Sequence, residues 1–310
     1  MKILVSSKSF GKEDSRAIKM LIDAGFEPVI NPYNKALTQH EFSRMIQGAV
    51  GLIAGTEKID RNLLKEANNL KVISRFGVGT DNIDLEAAKN KGIIVCNTPE
   101  APTMAVAELT LSLILNLNRR ISEVDRNLHS GIWKPVMGTL LNGKTIGIIG
   151  LGRIGRELVK LVEPFKLKLI AYDLFPDNDF ISKYNIKMSS IENLLVESDI
   201  ITLHLPLTSE TRHFIGKKEF SLMKRDSIII NTARGELIDE NELINALENK
   251  SIGGAAIDVF GVEPYDGKLK EYNNVILTPH IGSYTKETRL KMEQETVDNL
   301  INALSMEGIK

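Results

Sequence analysis

Lys144-Thr145-Ile146-Gly147-Ile148-Ile149-Gly150-Leu151-Gly152-Arg153-Ile154-Gly155 decides the fold. Its first half is a short, nearly unbroken apolar run, the pattern of a parallel strand buried on both faces. Its second half spells G-x-G-x-x-G, and apolar residues then recur at Ile154, Leu158, Leu161 and Val162, which is helical spacing. The glycines therefore sit where a strand turns into a helix. Gly150 permits the tight turn, Gly152 lets backbone approach a pyrophosphate, and Gly155 lets the helix lie close to its strand. The free amides and positive dipole end of that helix face the phosphates.

A second apolar run, Leu167 to Tyr172, ends at Asp173, eighteen residues past Gly155. An acid there accepts hydrogen bonds from both ribose hydroxyls of an adenosine and repels a 2'-phosphate, which favours NAD over NADP. A lone G-x-G-x-x-G is as well explained by an ordinary loop. Strand, helix, second strand and terminal acid together make it a dinucleotide site.

At 310 residues the chain is long enough for about two domains with separate cores. With 39 Lys+Arg against 40 Asp+Glu, no global field points to nucleic acid or an acidic membrane surface as partner. The single cysteine, Cys96, has no disulfide partner within the chain, which suits a reducing compartment. Met1-Lys2-Ile3-Leu4-Val5-Ser6 reads directly as a strand rather than a signal peptide, and no apolar run reaches membrane-spanning length. A cytoplasmic protein without membrane, nucleic-acid or metal partners is the expectation.

From Met1 to about Thr98, strand candidates at Ile3 to Val5, Glu27 to Ile30, Val50 to Ala54, Val72 to Arg75 and Ile93 to Cys96 alternate with helical segments such as Asp14 to Ala24 and Asp60 to Ala67. Such alternation argues a parallel sheet covered by helices. The loop Arg75-Phe76-Gly77-Val78-Gly79-Thr80-Asp81-Asn82 lies at a strand's C-terminal end, where open α/β sheets bind ligands, and its glycines expose amides suited to a carboxylate. Pro99 and Pro102 mark a hinge. Beyond them a long helix runs to Arg119 and Arg120, apolar enough at Val106, Leu109, Leu113, Ile114 and Leu117 to be buried between domains or against another subunit.

From Lys144 to about Gly282 the apolar runs count about six strands, continuing at Ile200 to His204, Ser227 to Ile230, Gly254 to Asp258 and Val275 to Leu277. That is the size of a full doubly wound sheet. A helix from Asp239 to Leu247 carries Glu242 at capping-box spacing. The last stretch, Lys286 to Leu304, is too short for a domain of its own and should pack back on the N-terminal one. The expected fold is thus α/β, with two Rossmann-like or flavodoxin-like domains, doubly wound parallel sheets and a cleft between them. Residues 1–98 with 285–310 form a discontinuous substrate (catalytic) domain, and residues 99–284 form the NAD-binding domain.

Three polar turns follow strands of the second domain: Asn231-Thr232-Ala233-Arg234-Gly235-Glu236, Asp258-Val259-Phe260-Gly261-Val262-Glu263-Pro264 and Thr278-Pro279-His280-Ile281-Gly282-Ser283. Strand C-termini are where this architecture gathers its ligand, so an Arg, a Glu and a His converge there. Singly, a His after Pro is more often structural, and Arg and Glu at strand ends are usually solvated.

The motifs GLGRIGRE, NTARGELIDE, AAIDVFGVEP and LTPHIGSYT, in this order, resemble the D-isomer-specific 2-hydroxyacid dehydrogenases, especially their phosphoglycerate dehydrogenase branch. RFGVGTDNIDLEAA and VAELTLSLILNLNR extend the resemblance over nearly the whole chain. It implies NAD-dependent hydride transfer between a 2-hydroxy acid and its 2-keto acid, with D-3-phosphoglycerate as one candidate substrate. His280 is then the acid/base, Glu263 its partner, and Arg234 the group that binds the substrate carboxylate and polarises the carbonyl. The chemistry agrees: a histidine titrates in the useful range, and arginine's fork suits a planar carboxylate. Glu263 is expected to favour the imidazolium, each pKa unit being worth about 1.4 kcal/mol.

The resemblance also implies amides of Arg153 and Ile154 at the phosphates and Asp173 at the ribose. It puts Pro206, Thr232, Ala233, Asp258, Gly282 and Ser283 around the nicotinamide half, and Arg75, Val78 and Gly79 at the substrate. A homodimer through the 102–120 helix region is expected.

Phosphoglycerate-type members usually place an Arg-Ser pair after the third strand, but that loop here reads Ala54-Gly55-Thr56-Glu57. An arginine lost and a carboxylate gained disfavour a doubly anionic substrate. The family also includes NAD(H)-sensing corepressors that keep the Arg, Glu and His, so a non-catalytic binding protein is the alternative reading.

Overall fold

Short apolar runs build two wholly parallel sheets in the computed structural model, which describes residues 1–33 and 35–309. The chain divides into two units, one of Met1–Pro102 with Tyr284–Lys310 and one of Thr103–Ser283.

In the first unit, β1 (Lys2–Val5), β2 (Glu27–Ile30), β3 (Ala49–Ala54), β4 (Val72–Arg75) and β5 (Ile94–Asn97) lie in the order β2-β1-β3-β4-β5. Ile3, Leu4, Val5, Leu52 and Ile53 are fully buried, as continuous apolar strands covered on both faces should be. One face packs Phe42, Leu63, Leu64 and Ala88 from the helices Gln39–Met45, Arg61–Glu66 and Leu85–Asn90. The other packs Leu21 with Val297, Leu300 and Leu304 of the C-terminal helix Lys286–Met306. That helix lies on β3, β4 and β5. The chain departs in opposite directions from β1 and β3, which are neighbours, so their C-terminal ends flank a topological switch point.

The second unit orders β6 (Thr145–Ile149), β7 (Lys168–Tyr172), β8 (Lys187–Met188), β9 (Ile200–Leu203), β10 (Ile228–Asn231), β11 (Gly254–Ile257) and β12 (Val275–Leu277) as β12-β11-β10-β9-β6-β7-β8. Its switch point lies between β6 and β9. The sheet has seven strands rather than six, because β8 is a two-residue edge strand too short to show a period. The capping box expected at Asp239 forms only by half. Asp239 accepts from the amides of Asn241 and Glu242, but its own amide donates to Ile215 O (2.9 Å), leaving Glu242 nothing to reach back for. Both halves of such a box form at Thr38 and Glu41 instead.

The helix Thr103–Arg119 buries Ala107, Thr110, Leu113 and Ile114, and packs on the helix Arg153–Val162 and on β10, β11 and β12. Its most apolar face is therefore taken up within its own unit, where the sequence pattern alone suggests a domain boundary or another subunit. Among the described residues no helix is long and apolar enough to cross a membrane.

Candidate active site

The glycine turn joins β6 to the helix Arg153–Val162, and its three glycines meet three different surroundings. Gly150 has φ +98°, and a Cβ there would stand 2.8 Å from the backbone of His204, on the neighbouring β9 side of the switch point. A Cβ on Gly155 would stand 2.3 Å from Gly150 O, so this glycine serves the packing of helix on turn. A Cβ on Gly152 would meet nothing within 4 Å. Gly152 is also the helix N-cap and offers no side-chain acceptor, so the first-turn amides of Arg153 and Ile154 have no cap from it. Open space beside uncapped amides at a positive dipole end fits a pyrophosphate.

Asp173, just past β7, closes this turn. Its Oδ2 accepts from the amide of Leu151 at 2.6 Å and its Oδ1 from that of Phe175 at 2.7 Å. Each carboxylate oxygen keeps a further lone pair for a ribose hydroxyl. Arg156 ties the turn from the other side, through Leu151 O (2.9 Å) and Asp177 (2.7 Å).

At the end of β9, His204 is a half-buried imidazole whose Nε2 lies 3.0 Å from Thr202 Oγ1, while its buried Nδ1 has no hydrogen-bond partner. Burial lowers its pKa to about 4. It is neutral at pH 7. Pro206 beyond it is exposed and fixed by a bond from Thr211 Oγ1 to its carbonyl (2.7 Å).

The ends of β10, β11 and β12 carry the remaining polar side chains. Asn231 is fully buried and pins the first turn, donating to Arg234 O (2.8 Å) and accepting from the amide of Ala233 (3.1 Å). Thr110 gives its one hydroxyl proton to Val106 O (2.7 Å), so Thr232 Oγ1, 2.9 Å away, is the donor between the two threonines. Arg234 turns Nη1 to Ala233 O at 2.7 Å.

Asp258, also fully buried, organises the turn that presents the histidine. Its carboxylate accepts from Thr278 Oγ1 (2.6 Å) and from the amides of Ile281 (2.8 Å) and Gly282 (2.9 Å). Burial raises its pKa, and these bonds offset part of the rise. His280 adopts φ +55°, a sparsely populated conformation for a residue with a Cβ. Its amide donates to Asp258 O and Thr278 O, so the surrounding turn over-determines that conformation.

The His280 ring then meets Glu263, with Nδ1 2.9 Å from Oε2 and 3.1 Å from Oε1. Glu263 also accepts from the amide of Phe260 (3.1 Å), and Phe260 stacks on Tyr265 with ring centroids 4.2 Å apart. Partial burial pushes the Glu263 carboxyl up. The bond and charge of His280, the Phe260 amide and the charge of Arg234 outweigh this and hold it below the ordinary carboxylate range. With Nδ1 directed at a carboxylate, Nε2 is the ring nitrogen left for proton exchange.

In the first unit, Arg75 is nearly buried at the end of β4 and donates from Nη1 to Phe76 O. Val78 is exposed, and its carbonyl accepts from Asn97 Nδ2 at 2.6 Å. Gly77, at φ +141°, packs against the Arg75 guanidinium. Sequence reasoning places Asn231 and Phe260 in the polar turns without giving them a task and overlooks Thr110 and Tyr265, although all four hold those turns in shape. The signal available for Asn231 was a polar residue closing three isoleucines.

Residues 111–282 match the family described as D-isomer specific 2-hydroxyacid dehydrogenase, NAD binding domain. The chain belongs to that family. The glyoxylate reductase of Thermococcus litoralis is 45% identical over 268 residues, covering 83% of this chain and 80% of the relative. The D-3-phosphoglycerate dehydrogenase of Methanocaldococcus jannaschii is 44% identical over 279 residues, covering 88% of this chain but only 52% of the relative. A solved structure from Thermus thermophilus superposes with a TM-score of 0.89 at 35% identity, covering 100% of this chain and 98% of that one. The chain is thus an NAD-dependent oxidoreductase of the D-2-hydroxyacid dehydrogenase family, and the second unit's glycine turn, Asp173 and uncapped helix start fit that cofactor.

Proposed function

We propose that the chain interconverts a 2-hydroxy acid and its 2-keto acid, with His280 as acid/base, Glu263 as its partner and Arg234 as the anchor of the substrate carboxylate. The observation that carries this reading is the contact of His280 Nδ1 with both Glu263 oxygens, at 2.9 and 3.1 Å. It orients the ring and stabilises the imidazolium form that must donate a proton to a carbonyl oxygen. Bound NAD supplies the hydride acceptor, and its reduced form the hydride donor. Arg234 holds the carboxylate in a fixed plane and draws charge toward the reacting carbonyl.

In this reading the amides of Arg153 and Ile154 receive the pyrophosphate and Asp173 the adenosine ribose. Pro206, Thr232, Ala233, Gly282 and Ser283 line the nicotinamide half, and Asp258 serves it by holding the Thr278–Gly282 turn. The substrate domain comprises residues 1–98 with 285–310, its contacts being Arg75, Val78 and Gly79, and residues 99–284 carry the cofactor. The functional particle is a cytoplasmic homodimer using the 102–120 helix region, extended by the exposed apolar residues that follow it. The candidate substrates include glyoxylate and 3-phosphohydroxypyruvate, after the activities for which the two relatives are named.

The test is NADH consumption with a panel of 2-keto acids, followed by absorbance for the native enzyme and for His280→Ala. Turnover by the native protein and its loss by about 10²–10⁴-fold in the variant is the expected result. A fully active His280→Ala protein would remove the histidine from the chemistry.

A further inference from the structure

Glu263 stands on an exposed tip. Gly261, Val262, Glu263 and Pro264 all face solvent, and among the described residues the carboxylate hydrogen-bonds only with the amide of Phe260 and the ring of His280. What fixes the tip lies where residues 260 and 265 close it. The rings of Phe260 and Tyr265 stack there with centroids 4.2 Å apart and planes at 20°, half-buried against the core that holds Leu243 and Leu269.

Tyr265 is the anchored member of the pair. Its hydroxyl donates to Oε1 of Glu240 (2.9 Å), the first residue of the helix Glu240–Glu248, and accepts from the amide of Leu269 (3.1 Å). Burial, with the Glu240 carboxylate adding to it, pushes the phenol up to about 12 against the pull of the Leu269 amide, so at neutral pH it keeps the proton it donates. Gly267 leaves the ring its place, since a Cβ there would stand 2.3 Å from the hydroxyl oxygen and 2.4 Å from Cζ.

Phe260 passes that anchored position to two turns. Its amide holds Glu263 Oε1 at 3.1 Å, and its backbone lies against Gly235, where a Cβ would be 2.1 Å from Phe260 C and 2.4 Å from Gly261 N. Gly235 directly follows Arg234. A shift of Phe260 therefore displaces both the carboxylate that orients His280 and the turn that carries the arginine.

We infer that Tyr265 is a positioning residue for the reaction: its ring, stacked on Phe260 and tied to Glu240 and Leu269, sets Glu263 against His280 and fixes the turn of Arg234. It acts through Phe260 and is given no contact with the reacting atoms. A displacement of about an ångström at such groups costs up to about a hundredfold in rate. The inference rests on the proposed roles of Glu263 and Arg234.

The experiment measures kcat and both KM values with NADH and whichever 2-keto acid the native enzyme reduces fastest, in Tyr265→Leu, Tyr265→Phe, Glu263→Gln and the Tyr265→Leu, Glu263→Gln double variant. Tyr265→Leu should lower kcat about tenfold and raise the keto-acid KM about threefold, with the KM for NADH unchanged. Tyr265→Phe keeps the stack and should stay within about threefold of native. In the Glu263→Gln background the kcat loss from Tyr265→Leu should shrink below about threefold, because the carboxylate it positions is gone, while the rise in keto-acid KM persists through Arg234. A smaller folded fraction would instead lower kcat by one factor in both backgrounds and leave both KM values alone. That pattern, a fully active Tyr265→Leu, or a Tyr265→Phe as impaired as Tyr265→Leu overturns the inference while leaving the dehydrogenase reading intact. A Glu263→Gln enzyme as active as the native one overturns the role of the pair and this inference with it.

Discussion

Both carboxylate oxygens of Glu263 lie within hydrogen-bonding distance of Nδ1 of His280, at 2.9 and 3.1 Å, although 17 residues separate the two in sequence. Because the Glu263 carboxyl is held below the ordinary carboxylate range by His280, the Phe260 amide and Arg234, it is ionised near neutrality and takes no part in the pH response there. Keto-acid reduction should fall as pH rises and the imidazolium is lost, and alcohol oxidation should rise. In Glu263→Gln the ring loses its anionic partner, and reduction at pH 7.5 should drop by about 10²-fold. A variant whose rate and pH profile match the native enzyme would separate the pair from catalysis.

Gly152 and Gly155 make a contrast that one pair of substitutions can read. Gly155→Ala drives a Cβ to 2.3 Å from Gly150 O, so it should cost about 1–3 kcal/mol and lower the thermal midpoint. Gly152→Ala meets no protein atom, so its unfolding should match the native chain while the KM for NADH rises about tenfold or more. Calorimetry and cofactor titration on the two variants check this. Equal loss of stability in both would mean that the open side of the turn is not reserved for a ligand.

The half-buried His204, with its pKa lowered by desolvation, gives the fold an acid sensitivity. Unfolded, its imidazole takes up a proton near pH 6.5, whereas in the fold it does so only near pH 4. Between those values the unfolded chain holds the extra proton, so the fold loses stability as pH falls. The loss amounts to about 3 kcal/mol across the window. Urea unfolding of the native chain and His204→Gln at pH 7 and pH 4.5 reads this directly. The variant's loss on acidification should be smaller by most of that amount, and identical slopes would count against the assignment.

Sequence pattern carries the fold further than the site. Ile200–Leu203 and Ile228–Asn231 declare themselves as strands because both their faces are buried, and the glycine turn does so because two of its glycines answer to separate steric demands and the third stands beside open space. Lys187–Met188 stays hidden, since two residues have no period. Arg234, Glu263 and His280 stand out by type and by motif, but the bonds that aim them do not. Asp258 spends its carboxylate on Thr278, Ile281 and Gly282, and Asn231 spends its amide on Ala233 and Arg234, and those partners exist only once the turns have their conformations. Glu57 stands out in the sequence as a carboxylate where phosphoglycerate-type members usually place an Arg-Ser pair, but its burial does not. Only its contact with Ser6, distant in the chain, shows it to be buried.

Asp173 can be tested as the cofactor selector. It serves the turn through Leu151 and Phe175 and offers its remaining lone pairs to a ribose, so Asp173→Ser should weaken NADH and at the same time admit a 2'-phosphate. The preference for NADH over NADPH should contract by about a hundredfold, the larger part from NADPH gaining. An unchanged preference would place the adenosine elsewhere.

The chain's single tryptophan reports on assembly. After the helix Ile121–His129, the segment to β6 leaves Trp133 87%, Met137 91% and Leu140 72% exposed, an apolar display that soluble monomers rarely sustain. The helix Thr103–Arg119 has spent its most apolar face on its own unit, so in the proposed dimer these later residues are the ones a second copy would cover. Sedimentation at micromolar concentration should therefore give a dimer mass, and tryptophan emission should shift to the red on dilution as Trp133 meets water. Trp133→Ser combined with Met137→Ser should move the equilibrium to monomer with the unfolding midpoint of each unit retained. A native protein that sediments as a monomer, with solvent-type emission at every concentration, would rule out pairing through this segment.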